Sequence, residues 1–236
     1  MTKRVPSVSV SYASNGSSTT SNELGMRPMQ ERAYERRGEQ YLLIKSPPAS
    51  GKSRALMFIA LDKLYNQGLK QAIIVVPEKS IGSSFNDEPL SDYGFWVDWH
   101  VEPKWNLCNA PGTDNGGKVK SLGAFLESSD KVLVCTHATF RFAIDQFGLA
   151  AFDDRLIAVD EFHHVSANPD NKLGAHLGGF IHRDKVHIVA MTGSGVSGSN
   201  SVDPAFSRPS TVREYSMTMH CRPRHRPRVG MPWVRA

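Results

Sequence analysis

The sequence predicts an α/β fold, a doubly wound and mostly parallel sheet flanked by helices, and three observations lead there. Short apolar runs without polar alternation recur at residues 42–44, 72–76, 132–134, 156–159 and 186–190. Strands of that kind are buried on both faces, as in a parallel sheet covered by crossover helices. Stretches of helical composition separate them, at 54–67, 117–128 and 138–147. A loop rich in Ser, Pro and Gly also stands between the first strand and the first helix, the junction where α/β sheets hold ligands.

Taken in order, residues 1–22 are rich in Ser, Thr and Asn and poor in large apolar groups, which predicts a disordered leader. A globular domain is expected over 23–194. Its first strand, Tyr41-Leu-Leu-Ile44, runs into Ser46, Pro47, Pro48, Ala49, Ser50, Gly51, Lys52 and Ser53, and a helix follows until Gly68 stops it. Strand, Gly-Lys-Ser loop and helix together make a phosphate-binding P-loop. Backbone N–H groups curl around an anion at a helix N-terminus, where the helix dipole also favours negative charge. Lys52 would reach the β- and γ-phosphates of ATP, and the Ser53 hydroxyl would hold Mg²⁺. Ser46 stands where the full pattern has Gly. With the P-loop added, the expected sheet is RecA-like.

Such a site needs an acidic partner at the end of another buried strand. The run at 156–159 leads straight into Asp160-Glu161-Phe162-His163, 108 residues after Lys52. Asp160 would act on the Mg²⁺ side, while Glu161 would polarise the attacking water. The residues alone therefore point to a Mg²⁺-dependent P-loop ATPase.

At this point the chain resembles the DEAD/DEAH-box helicase family, within it the branch that includes type III restriction subunit motor domains. Further residues match the family in the expected order over 26–194. Arg27-Pro-Met-Gln30 resembles its adenine-reading element, in which a Gln amide pairs the donor and acceptor edges of the base. Pro77 and Lys79, after the second strand, resemble a loop that grips the nucleic-acid backbone. Thr136 and Thr139, after the third, resemble a second such loop. Thr192 and Ser194 resemble the motif that couples the ATP and nucleic-acid sites, and His163 would help connect them. The resemblance implies ATP and Mg²⁺ as cofactors and DNA or RNA as partner. It also implies the first of two RecA-like motor domains, the second of which would supply arginine fingers on a Gln-x-x-Gly-Arg-x-x-Arg element. No such element follows Ser194 in this sequence. The expectation is thus a helicase motor domain, truncated and poorly active alone. The alternatives are a non-catalytic P-loop fragment that binds nucleotide or a partner, and a P-loop ATPase of another class.

The net charge of +5 adds nothing to the nucleic-acid reading. Residues 195–236 hold seven Arg, no Lys, and Asp203 and Glu214 as their acids; residues 1–194 hold 21 basic and 21 acidic side chains. That Arg-, Pro- and Ser-rich tail, with its Arg-x-Arg-x-Arg-x-Arg run at 222–228, is expected to be disordered. It reads either as out of frame or as a basic tail that touches phosphates. No apolar run reaches the ~18 residues of a membrane span. Cys108, Cys135 and Cys221 are widely spaced and read as free thiols of a reducing cytoplasm. Cys135, His137, His163 and His164 have no recognised zinc spacing. Phe95, Trp96, Trp99 and Trp105 would either stack on bases or pack an insertion onto the sheet.

Overall fold

All five apolar runs form strands, because side chains without polar alternation can be satisfied only between two covering layers. The computed structural model describes residues 21–46, 49–109, 115–166, 172–193 and 215–216. The strands are β1 (Tyr41–Lys45), β2 (Ala72–Val76), β3 (Val132–Thr136), β4 (Leu156–Val159) and β5 (His187–Thr192), with a two-residue β6 (Tyr215–Ser216). The helices are α1 (Pro28–Tyr34), α2 (Lys52–Tyr65), α3 (Asn115–Leu126), α4 (His137–Phe147), α5 (His163–Ser166) and α6 (Lys172–Arg183). The sheet order is β3-β2-β4-β5-β1-β6 and every pairing is parallel. Thus the carboxyl end of β5 lies between β1, which feeds the P-loop, and β4, which feeds the acidic turn.

Alternate residues of each strand serve two cores. Ile74, Val76 and Ala158 face α1 and α2, with Leu56, Phe58 and Ile59 among the helix contributors. Ile73, Val75 and Ile157 face the layer of α3, α4 and α6, through Leu122, Phe140 and Leu177. Helix α2 is buried from Ala55 to Leu64, so it is covered on both sides rather than on one. Its second cover is the segment between β2 and α3. There Trp99 donates its indole N–H to the Phe85 carbonyl at 3.1 Å, and Phe95 packs edge-on against Phe58 with ring centroids 4.7 Å apart. Trp105 donates to Asp130 at 2.6 Å. Phe95, Trp99 and Trp105 are therefore packing residues, and the base-stacking alternative fails for them; Trp96 remains 46% exposed.

The amino ends of the strands are closed by polar side chains that satisfy one another. Gln71 donates to the carbonyls of Phe125, Ser128 and Asp130, and accepts from Arg155 Nε at 2.7 Å. Arg155 donates further to the carbonyls of Leu126, Ala151 and Asp153. Asp62 accepts from Tyr34, Arg37, Asn66 and Gln67. Burial opposes its charge, but those donors win and hold its pKa below the usual value. Lys63, fully buried, donates to the Glu39 carbonyl at 2.8 Å and to His187 Nδ1 at 2.9 Å. Burial lowers the Lys63 pKa to about 8, and burial together with the Lys63 charge lowers that of His187 to about 4. The pair therefore shares one proton near neutrality, with Lys63 charged and His187 neutral.

No helix among the described residues is long and apolar enough to cross a membrane. Asn22, at the end of the expected leader, accepts from the Leu24 and Met26 N–H groups. Of residues 195–236, Tyr215 and Ser216 are described; they pair with Ile44 and Lys45 along the edge of β1.

Candidate active site

The P-loop is built by two residues in left-handed backbone conformation. Ala49 has φ +58° and Gly51 has φ +85°, and Gly51 is the N-cap of α2. The φ at Gly51 favours glycine, and a Cβ there would stand 2.5 Å from Gln30 Nε2, so a side chain would also displace the Gln30 amide. Ser46, buried at the end of β1, lies with its hydroxyl 2.7 Å from that of Ser50. Lys52 donates to the Ser46 carbonyl at 3.2 Å, which folds its ammonium back over the loop. Ser53 follows in the first turn of α2. Pro47 and Pro48 lie outside the described residues.

Gln30 reaches the loop from α1. Its Oε1 accepts the Arg27 N–H at 2.8 Å and its Nε2 donates to the Gly51 carbonyl at 3.1 Å. The first contact caps the short helix, which Pro28 starts. A primary amide has a second N–H and a second lone pair. Gln30 thus ties the P-loop to α1 and keeps the capacity to pair a base edge, although only 2% of it is exposed.

The acidic turn lies two strands away from β1. Asp160 N–H donates to Val75, Phe162 N–H donates to Met191, and Glu161 between them is held at φ +48°, unusual for a residue with a side chain. Asp160 is 6% exposed and its Oδ1 accepts the Glu161 N–H at 2.9 Å. Among the described residues no donor reaches its Oδ2. Burial, and the neighbouring Glu161 charge, raise the Asp160 pKa, while that backbone N–H and Lys52 pull it back. A buried carboxylate with one oxygen open and a destabilised charge fits a divalent cation, which would remove that destabilisation. The donor set therefore fits Mg²⁺.

Two histidines lock the turn. His163 Nδ1 lies 3.1 Å from Glu161 Oε2 and 3.2 Å from Thr192 Oγ1. The first is an ion-pair distance and the second a hydrogen bond, so the His163 ring stands between Glu161 and the end of β5. Thr192 is in turn joined to the P-loop, because its carbonyl accepts the Ser46 N–H at 3.2 Å. The expected coupling residues His163 and Thr192 thus sit in one chain of contacts; Ser194 lies outside the described residues. The second histidine is His137, at the start of α4, whose Nε2 lies 3.1 Å from the Asp160 carbonyl. No zinc spacing gave it a role in the sequence, and the contact depends on the strand order. Among the described residues no group of three or more metal-ligating side chains gathers around these histidines and cysteines.

The segment 27–195 matches the DEAD/DEAH box helicase family. The chain belongs to that family. It is also 56% identical, over 187 residues and 79% of its length, to the Bacillus subtilis (strain 168) protein named "Putative ATP-dependent helicase YeeB". The matched part is 31% of that relative's length, so the chain spans under a third of it. In this DEAD/DEAH box domain the two expected nucleic-acid loops follow β2 and β3, at the carboxyl ends of the strands like the P-loop. Pro77 is half-buried and Lys79 exposed. Thr136 caps α4 by accepting the Thr139 N–H, and Thr139 is buried with its hydroxyl 3.1 Å from that of Thr136. Its side chain therefore supports the loop from beneath.

Proposed function

We propose that this domain is the ATP-binding first motor domain of an ATP-dependent nucleic-acid helicase or translocase. ATP is held on the loop 46–53, with Gln30 and Arg27 at the adenine and Lys52 at the β- and γ-phosphates. Ser53 and Asp160 hold Mg²⁺, which neutralises charge on the phosphates when bound. Glu161 orients the attacking water by accepting its proton, His163 keeps that carboxylate in register with Thr192, and Ser194 is the further coupling residue of that motif. DNA or RNA runs over the loops that carry Pro77, Lys79 and Thr136, with Thr139 beneath, and the setting is cytoplasmic. The observation that supports this reading is the series of contacts from Ser46 through Thr192 to His163, whose ring also lies 3.1 Å from Glu161, so that the phosphate loop and the acidic turn meet at the end of β5.

Lys52→Ala is expected to abolish MgATP binding, read by titration with a fluorescent ATP analogue. Glu161→Gln should bind like the parent but lose turnover by about 10²–10³. A Lys52→Ala protein that binds as tightly as the parent would overturn the assignment. We further propose that these 236 residues alone turn ATP over slowly and do not unwind a duplex. A second RecA-like domain would contribute arginine fingers, a contribution worth ~10³–10⁵ in rate. Strand separation by the purified chain would refute that.

A further inference from the structure

The geometry points to His137 as a positioning residue for the acidic turn: its Nε2–H fixes the Asp160 peptide so that Asp160 presents its open oxygen to Mg²⁺. The inference rests on the ATP-binding reading above, and it assigns a role to a residue that reading leaves unused. His137 is the first residue of α4 and follows directly on Thr136, yet its ring reaches past β2 to the end of β4. The Asp160 carbonyl can only accept, so Nε2 must carry the proton. The contact is 3.1 Å long and part-buried.

What that carbonyl does for the site follows from the next peptide. The Asp160 C=O and the Glu161 N–H belong to one planar unit. The N–H side is held by Asp160 Oδ1 at 2.9 Å, the carbonyl side by His137. Rotation of the peptide therefore moves the Asp160 carboxylate and the Glu161 backbone together. Glu161 already sits at φ +48°, a conformation that residues other than Gly, Asn and Asp rarely occupy, so the turn must be held from outside. His137 and the Phe162-to-Met191 bond hold it from opposite sides. Partners that orient a metal ligand typically cost 10–100-fold in metal affinity when lost. His137 adjoins Thr136 at the β3–α4 junction, so a ligand drawn onto that junction would act on the Mg²⁺ side of the site through one hydrogen bond.

Two near-isosteric variants test this in the 236-residue chain. His137→Leu removes the donor, while His137→Gln returns an amide N–H at similar reach. The measured quantity is the gain in affinity for a fluorescent ATP analogue on replacing EDTA by Mg²⁺. We expect His137→Leu to lose about tenfold of that gain with its affinity in EDTA unchanged, and His137→Gln to recover it to within about threefold. ¹⁵N–¹H correlation of the imidazoles, assigned by the signal that vanishes in His137→Gln, should show a proton on Nε2 in the chain without nucleotide. A His137→Leu protein that keeps the full Mg²⁺ gain, or a His137 whose proton is on Nδ1 alone, overturns the inference. A general loss of folding is recognised by a fall in both affinities in His137→Leu that His137→Gln does not repair, and it too counts against a positioning role. Lys52→Ala separates the two readings. A parent that binds no better than Lys52→Ala ends the ATP assignment itself. A parent that outbinds Lys52→Ala while His137→Leu equals the parent ends the role of His137 alone.

Discussion

The two ends of the same sheet treat their polar groups in opposite ways. At the amino ends of the strands Gln71, Arg155, Asp62 and Lys63 each meet several partners drawn from the chain itself. At the carboxyl ends Asp160 leaves one oxygen open among the described residues, and the Glu161 carboxylate lies against His163, whose Nδ1 also faces Thr192. Backbone strain divides the same way. Left-handed residues at the amino ends are Asp154 and Asp184, a residue type that tolerates the conformation, while at the carboxyl ends they are Ala49 and Glu161, which do not. One end closes on itself and stabilises the fold. The other end stays unsatisfied and held in place, the state in which a ligand gains most by binding.

The comparison breaks most severely at Arg155. Truncation to Ala strands four acceptors at once: the buried Gln71 Oε1 and Leu126 carbonyl, and the part-buried carbonyls of Ala151 and Asp153. We expect a loss of about 3–5 kcal/mol in a urea titration. The folded fraction should bind nucleotide within about twofold of the parent, because nothing at the carboxyl ends has changed. A large affinity loss would mean that the two ends are not independent.

Gly51→Ala makes the opposite test. The new methyl needs φ near +85° and meets Gln30 Nε2, so either the loop or the Gln30 link to Gly51 must give. Left-handed strain of ~1–2 kcal/mol corresponds to a loss of about tenfold in nucleotide affinity. The melting temperature should fall much less than for Arg155→Ala, since an empty loop can relax.

Why some of this was legible in the sequence and some was not follows from the same division. The five strands were legible because burial on both faces writes itself as an uninterrupted apolar run, and the P-loop and acidic turn because their chemistry fixes residue types at strand ends. Helix α6 carried a readable signal, Leu173, Leu177, Phe180 and Ile181 at helical spacing, that went unused. Helix α1 did not announce itself: it is seven residues long and Arg27, rather than a Ser or Thr, stands at its N-cap. The segment that covers α2 is made of short 3₁₀ turns at 79–85, 90–93 and 103–105, without any period. Lys63 reads as an ordinary solvated helix lysine until β5 places His187 beside it. His137 needs the strand order, since β3 and β4 are not neighbours.

The Lys63–His187 pair also gives the amino end a pH signature opposite in sign to that of Asp160, whose raised pKa at the carboxyl end makes stability fall as pH rises. His187 is depressed from the usual 6.5 to about 4, so between those values the unfolded chain binds the extra proton and acid favours unfolding. Stability should fall with decreasing pH through that window, by up to ~1.4 kcal/mol per unit. Lys63, depressed to about 8, acts in the same sense at higher pH, with stability rising from about 8 towards its ordinary value near 10.5. His187→Gln removes the acid part of the slope, which a series of urea titrations between pH 4 and 7 would read. An unchanged slope would mean that carboxylates, not this pair, dominate the acid limb.

The smallest effect is expected at the same end, and it shows that position alone does not make a contact matter. Lys70 and Asp154 are 2.9 Å apart near the starts of β2 and β4, a shorter contact than Arg54 to Glu88 at 3.5 Å, yet both side chains are more than half exposed. Water and salt screen such a pair, and holding two long side chains costs nearly what the attraction returns. The Lys70 N–H also donates to the Asp154 carbonyl at 2.9 Å, a bond that survives truncation of the side chain. Lys70→Ala should therefore leave the melting temperature unchanged within error at 0.15 M salt, with any small loss appearing only at low ionic strength. A loss comparable to that of Arg155→Ala would mean that the amino end is stabilised by its charges. Its stability comes instead from buried hydrogen bonds such as those of Gln71 and Arg155.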